Sequence, residues 1–258
     1  MPSTKLFAGK APPGVSRIVV VGAVLLSIGL SPAARAADNS RAFVFPPATG
    51  PLGWAYRDLA AQWWQWVLSA PGIPPGESGG ASANPLVDTT GDACAVGQRG
   101  LIWFLAGASG DFGGPTTVTR ECTVPAGRIL FFPVLNLAYF AFLTDPPDER
   151  TIAFIRSHVT GVENTTGLFA EIDGAPVPNI ARYLEKSSIF NIILPPGNIF
   201  EAFGLGPNFV LSPSADEGYY LAVALPPPPA GSQTARHTLH FGVKNKVDTT
   251  YHLTVIAP

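Results

Sequence analysis

Two continuous apolar runs constrain the fold of this sequence more than any other feature. They lie at Leu101–Ala106 (LIWFLA) and Ile129–Leu135 (ILFFPVL), and neither alternates between apolar and polar residues. A strand that is apolar on both faces must be covered on both faces. The runs therefore predict buried strands in a layered protein. Pro133 has no N–H to donate, so it predicts a bulge or a sheet edge.

The rest of the chain is divided into short segments by turn residues. The 258 residues include 27 Gly and 27 Pro without a collagen-like repeat. The pair Asp173-Gly174 predicts a hairpin turn. Further predicted strands are Leu168–Ile172, Phe190–Leu194, Phe209–Leu211, Tyr219–Ala224, Thr238–Val243 and Tyr251–Ile256. This pattern predicts a mainly β protein, a single-domain antiparallel β-sandwich or jelly-roll-like barrel over residues 37–258.

Two segments are predicted to be short helices packed on the sheets. Trp54–Ala70 places its apolar residues on one arc of a helical wheel, which is typical of an amphipathic helix. Pro146–Val159 begins with Asp145 as a candidate N-cap and with Pro146 in the first turn.

The first 36 residues have the three parts of a secretory signal peptide. Basic residues precede the apolar run Ile18–Leu30, and the small-x-small sequence Ala34-Arg35-Ala36 follows it. The run is too short for a membrane-spanning helix, so we expect cleavage before Ala37 and a secreted or periplasmic product without a membrane span. The leader carries 4 of the 16 basic residues and no acid, which leaves 12 against 18 acids, a net charge of −6. Nucleic acid is therefore not an expected partner.

Cys94 and Cys122 are the only cysteines in the chain. An oxidising compartment favours their pairing, and the sequence predicts a structural disulfide that contributes about 3–4 kcal/mol in the chain-entropy model.

The five tryptophans all lie between residues 54 and 103. Indole rings line sugar sites and apolar pockets, but they also fill cores. On the helical wheel Trp63 and Trp66 lie within the apolar arc, whereas Trp64 lies at its boundary. The candidate ligand-binding residues are therefore Trp64, Trp54 and Trp103.

Four other motifs have a chemical interpretation beside a structural one. His240 and His252 lie on one face of the predicted terminal hairpin and are weak metal-ligand candidates, but the sequence offers only Thr238, Thr250 and Thr254 as neighbours. The string at 76–80 matches G-x-S-x-G without the strand and helix that a nucleophile elbow needs. Glu171 and Asp173 are spaced like paired carboxylates, although a turn Asp usually binds its own backbone. The loop at 88–92 resembles a calcium loop without its closing Glu.

A set of local motifs carries a resemblance to a protein family. The motifs are Trp63-Trp64-Gln65-Trp66, Asp88–Gly91 with Cys94 and Gly97-Gln98, Leu101–Gly107, Cys122–Gly127 and Phe131-Phe132-Pro133. Together they resemble a widespread family of exported bacterial proteins for which no activity is established. The resemblance implies export and a shared fold, and it implies no function.

The sequence favours a non-catalytic binding module for carbohydrate or a small apolar ligand, with no cofactor. One alternative is a hydrolase on the same scaffold that uses carboxylates or a metal, although no convergent triad is present. The other is an envelope structural protein in which every tryptophan belongs to the core.

Overall fold

The computed structural model describes residues 41–72, 84–109 and 116–257. The predicted signal peptide and the G-x-S-x-G string lie outside these residues. The α-helices of the described residues are α1 (Tyr56–Ser69) and α2 (Ile152–Ser157). Short 3-10 helices lie at Pro51–Gly53, Val162–Asn164, Ile180–Tyr183 and Glu201–Phe203. The strands are β1 (Phe43–Val44), β2 (Ile102–Phe104), β3 (Thr117–Pro125), β4 (Ile129–Phe142), β5 (Leu168–Ile172), β6 (Ala175–Pro176), β7 (Leu184–Lys186), β8 (Phe190–Ile193), β9 (Val210–Ala224), β10 (Thr234–Val243) and β11 (Val247–Ile256).

The strands form two sheets, as the sequence predicts. The first sheet has the order β1-β9-β4-β2, and β7 and β8 also pair with β9, each along a different part of it. The second sheet has the order β3-β11-β10-β5-β6. Most pairs are antiparallel, but β2 lies parallel to β4 and β3 lies parallel to β11, which the antiparallel prediction did not include.

The first sheet is the middle layer of the molecule. Phe132 packs against Phe241 of the second sheet, with ring centroids 4.5 Å apart. On the other face Phe131 packs against Tyr56 of α1 at 5.5 Å. The first six residues of β4 are buried because both faces are covered, which confirms the prediction from the continuous apolar run.

The predicted bulge is also present. The pairing of β4 with β9 shifts register between Pro133 and Leu135, where Pro133 lies opposite Tyr220 and Leu135 lies opposite Tyr219. Val134 is therefore the extra residue of a β-bulge.

Several element boundaries differ from the prediction, and β4 continues to Phe142 rather than ending at Leu135. Trp54 lies outside α1, in the chain before it. The second helix does not begin at Asp145 and Pro146: Asp145 binds the N–H of Phe142, and α2 begins after Thr151, whose hydroxyl accepts from the N–H of Phe154. The two strands predicted at Phe209–Leu211 and Tyr219–Ala224 are parts of one strand, β9.

The disulfide between Cys94 and Cys122 is present, with Cα atoms 6.0 Å apart. It ties the segment before β2 to β3 in the second sheet. Among the described residues, no helix combines the length and the apolar character that a membrane crossing requires.

Candidate functional site

A cleft of about 390 Å³ opens beside β4, just past the residues that pair with β2. Strand β2 is only three residues long, so the outer edge of β4 beyond Phe131 pairs with no other strand in the part of the chain that the structure describes. The volume falls within the range of ~300–1,000 Å³ typical of small-molecule sites. The cleft is lined by residues of α1, β4, the segment after β2 and the β10–β11 turn: Trp63, Trp64, Asn136, Phe140, the segment 107–109 and Lys246.

The bulge in β4 determines which side chains face α1. Before the bulge Phe131 faces the helix, and after it Phe140 does, with its ring 5.3 Å from that of Trp64. Regular alternation would place an odd-numbered and an even-numbered residue on opposite faces, so the extra residue Val134 reverses the alternation. The same reversal places Asn136 on the α1 face, in the wall of the cleft.

Behind this wall lies a hydrogen-bonded group of four side chains, Trp64, Asn136, Asp216 and Tyr220, which we call the Asp216 cluster. Asp216 is fully buried. Its Oδ2 accepts from Nε1 of Trp64 at 2.9 Å, and its Oδ1 accepts from the hydroxyl of Tyr220 at 2.8 Å. The Tyr220 oxygen in turn accepts from Nδ2 of Asn136 at 3.0 Å. A chain of hydrogen bonds thus leads from a buried carboxyl group to an amide at the cleft surface.

Burial changes the acid–base chemistry of the cluster. It raises the pKa of Asp216 to about 7, although hydrogen bonds from Trp64 and Tyr220 and the charge of Arg156 act in the opposite direction. Burial, together with the nearby Asp216, raises the pKa of Tyr220 well above its usual value. Asp216 therefore exchanges its proton near neutral pH, whereas Tyr220 keeps its own.

The backbone of Asp216 is held by α2 and by the chain around Ser187. Its N–H donates to the Ser187 hydroxyl at 2.9 Å, and its carbonyl accepts from Nη1 of Arg156 at 3.2 Å. The Ser187 carbonyl also accepts from the Arg156 guanidinium. These contacts fix the position of the buried carboxyl group relative to α1.

Gly218 allows Asn136 to approach β9 closely. A Cβ atom added to Gly218 would lie 2.5 Å from Cβ of Asn136, well inside van der Waals contact. The absence of a side chain at position 218 is therefore part of what brings the Asn136 amide to the Tyr220 hydroxyl.

The three tryptophans predicted to bind a ligand lie in different environments. Trp64 is 4% exposed, lines the cleft and binds Asp216, so it belongs to both the wall and the buried cluster. Trp103 is buried in β2, and its Nε1 has no hydrogen-bond partner in the structure as described. Trp54 is 47% exposed. The fold brings only Trp64 of the three to the cleft.

Trp54 lies in a second, smaller groove. This groove has a volume of about 180 Å³, and Gln62, Arg99 and Leu101 are among the residues beside the indole ring. Exposed indole rings beside amide and guanidinium groups are the kind of surface on which a sugar ring stacks and forms hydrogen bonds.

His240 and His252 lie on the outer face of the second sheet, as the register of β10 and β11 requires. The sequence suggested only threonines as neighbours of His240, but the structure adds two acidic residues. Nε2 of His240 lies 3.0 Å from Asp248 Oδ1, and Nδ1 lies 3.7 Å from Glu171 Oε2. Within the described residues no group of three or more His, Cys, Asp or Glu side chains is placed to hold a metal ion.

The other acidic motifs have structural roles. The Asp88 carboxylate accepts from the N–H groups of Thr90, Gly91 and Ala93, so it closes its own loop. Asp173 takes a left-handed turn conformation and binds Nδ1 of His237 at 2.8 Å. Glu171 and Asp173 thus do not act as a carboxylate pair, because the Glu171 carboxylate lies beside His240 and the Asp173 carboxylate beside His237.

Sequence reasoning missed Asn136, Asp216 and Tyr220. A usable signal is the pair Asp216-Glu217, two acids inside a long segment that is otherwise strand-like. The sequence predicts separate strands on either side of this pair, at Phe209–Leu211 and Tyr219–Ala224. A buried acid within a continuous strand is rare enough to indicate a site.

The fold and the cleft define a helix-covered β-sandwich with a small cleft at the edge of its middle layer. No family model, curated protein or solved structure matches this chain.

Proposed function

We propose that this chain is an exported, non-catalytic binding protein that holds a small, largely apolar molecule with one polar group in the cleft beside β4. The observation that carries the proposal is the Asn136 amide in a wall of aromatic rings. It donates to the hydroxyl of Tyr220, which in turn donates to the fully buried Asp216. A few placed polar groups within a mainly apolar lining are typical of ligand sites. Export is inferred from the leader and is compatible with the disulfide.

Burial of an ionisable group also supports a functional cleft. A carboxyl group that binds no cation costs free energy on burial, and replacing buried ionisable groups by packed apolar side chains of similar volume is often neutral or stabilising. Perturbed acids next to clefts are enriched at functional sites. Catalysis by Asp216 is not part of the proposal, because the side chain lies behind Trp64 and Asn136 and is not among the residues that line the cleft.

The test uses the fluorescence of N-phenyl-1-naphthylamine, an uncharged dye that brightens in apolar sites. We expect saturable binding by the purified protein. Ala138→Phe, which places a ring in the cleft, should weaken binding at least about tenfold. The matched control, Ala175→Phe on the exposed strand β6, should bind as the wild type does. Equal binding by both variants would show that the dye does not use this cleft.

The groove at Trp54 supports carbohydrate as a second candidate ligand. We expect Trp54→Ala to abolish any retardation of the protein in affinity electrophoresis with soluble cellulose or chitin derivatives, and we expect Phe43→Ala, which removes another exposed ring, to have no effect. Identical mobility of wild type and Trp54→Ala in every gel would remove the Trp54 groove as a sugar site.

A further inference from the structure

We propose that Asn136 selects the polar group of the ligand, and that the proton on Asp216 determines whether Asn136 offers the cleft a hydrogen-bond acceptor or a donor. The inference rests on the proposed function, because it assigns the specificity of the same cleft. It follows from the directions that the hydrogen bonds of the Asp216 cluster can take.

With Asp216 ionised, every direction in the cluster is fixed. The carboxylate can only accept, so Trp64 and Tyr220 both donate to it. The Tyr220 hydroxyl has then used its one hydrogen, and its oxygen accepts from the Asn136 NH₂ group. The amide carbonyl of Asn136 is left for the cleft, so this state favours a ligand that donates a hydrogen bond.

With Asp216 protonated, the directions reverse. The Trp64 N–H cannot accept a hydrogen bond, so a proton on Oδ2 of Asp216 would have no acceptor in Trp64. The proton therefore lies on Oδ1, which faces the Tyr220 oxygen. The carboxylic acid then donates to Tyr220, whose hydroxyl hydrogen turns to Asn136. Asn136 accepts that hydrogen only if its amide turns over. Its NH₂ group then faces the cleft, so this state favours a ligand that accepts a hydrogen bond.

Within the described part of the chain, two charged side chains act on Asp216, Arg156 and Glu217. Arg156 of α2 contacts its carbonyl group and favours the ionised form, whereas the neighbouring Glu217 opposes it. Glu217 is itself 4.0 Å from Lys186. Burial is the largest influence, and together with these charges and hydrogen bonds it leaves the pKa of Asp216 at about 7, so both states of the amide are accessible near neutral pH. The exposed Lys246 at the cleft is not among the groups that shift this pKa.

The experiment compares two bicyclic probes of similar size, indole, which only donates, and 1-indanone, which only accepts. Calorimetric titrations at about pH 5.5 and about pH 8.5 lie on either side of the Asp216 pKa of about 7. We expect the ratio of the two dissociation constants to change at least about tenfold in favour of indole at the higher pH, because the wrong probe leaves a buried polar group unpaired.

Asp216→Asn provides the sharpest variant. Its amide oxygen must face the Trp64 N–H and its NH₂ group must face Tyr220, so it imitates the protonated acid. We expect it to prefer 1-indanone at both pH values. The control Asp92→Asn, which replaces an exposed carboxylate, should keep the pH dependence of the wild type.

A second measurement does not need a ligand. The side-chain amide resonances of Asn136, assigned by their loss in Asn136→Leu, should shift with the same pH midpoint as the Asp216 carboxyl carbon and should not shift in Asp216→Asn. Binding of both probes in a ratio independent of pH would overturn this inference and leave the proposed function intact. Failure of both probes and of the dye to bind would count against the proposed function. In that case, titration of Asp216 without movement of the Asn136 amide would overturn the inference separately.

Discussion

At the scale of one residue, the burial of Asp216 links the stability of the sandwich to the chemistry of the candidate site. Its carboxyl group lies in a middle layer covered on both faces, where water cannot solvate a charge. Two donors satisfy it, but Arg156, the one cation among the described residues that favours its charge, binds its backbone carbonyl. Asp216 therefore holds its proton more tightly in the folded protein than in the unfolded chain.

This preference makes a prediction about stability and pH. The pKa of Asp216 is raised from 3.8 to about 7 on folding, so the folded state holds the proton more tightly. Its contribution to stability is complete below about pH 4, is lost as the pH rises through the window up to about 7, and is constant above it. We expect the difference in unfolding free energy between wild type and Asp216→Asn to change across this window by on the order of 4 kcal/mol, as measured by urea unfolding at several pH values.

The comparison with Asp216→Asn isolates one group, because burial also raises the pKa values of Glu185 and Glu217. Those acids add a trend of the same sign to both proteins. Asp92→Asn should follow the wild-type profile. Parallel profiles for wild type and Asp216→Asn would contradict a raised pKa at Asp216.

Gly218 makes a second prediction at the residue scale. Gly218→Ala should lower the unfolding free energy by about 1–3 kcal/mol, since its methyl group would overlap Asn136 and the backbone of Leu135. It should also weaken binding of N-phenyl-1-naphthylamine by moving the amide. Gly206→Ala, where an added Cβ meets nothing within 4 Å, should change neither quantity. Similar losses in both variants would argue against the close approach.

At the scale of elements, the sequence predicted the parts that carry a strong periodic signal. Helix α1 has an apolar arc, and its predicted bounds lie within two residues of the observed ones. The continuous apolar run with its proline predicts the start and the bulge of β4, but the strand continues to Phe142, well past the predicted end at Leu135. The terminal hairpin followed from two alternating segments. Helix α2 was predicted too long because Asp145 and Pro146 are good starting residues in isolation, whereas in the fold Asp145 binds the N–H of Phe142.

Strand β9 and the candidate site were not predictable in the same way. Local propensity disfavours Asp216-Glu217 in a strand, and only β4 and β7, which pair with β9 along those residues, make the extended conformation stable there. The contacts of Asp216 come from positions 64 and 220, and the first lies 152 residues away in the chain. No local pattern encodes a contact of that separation.

The cap of α2 gives a prediction for one element. Thr151→Ala should lower stability by about 1 kcal/mol and speed hydrogen exchange of the α2 amides, because the N–H of Phe154 loses its acceptor. Thr151→Ser keeps the hydroxyl and should behave as the wild type. Since Arg156 of α2 holds the Asp216 carbonyl, exchange should also quicken at Asp216. Unchanged protection in Thr151→Ala would show that packing of Ile155 alone holds the helix.

At the scale of the whole molecule, the disulfide connects the segment that precedes β2 to β3 of the outer sheet. The 28-residue separation between Cys94 and Cys122 spans β2 and the segment 107–109 that lines the cleft. A covalent link across these layers limits the freedom of the unfolded chain more than any local contact can.

Replacing both cysteines with alanine should therefore lower the unfolding free energy by about 3–4 kcal/mol. Urea unfolding should show the wild type losing most, but not all, of this difference when a reductant is added. The variant should be unaffected by the reductant, so it serves as its own control. Both cysteines are buried, so part of the loss reflects packing, and the reductant separates the two contributions because reduced thiols still fill the space. If complete reduction left the unfolding midpoint of the wild type unchanged, the disulfide would contribute nothing to the stability of the three layers.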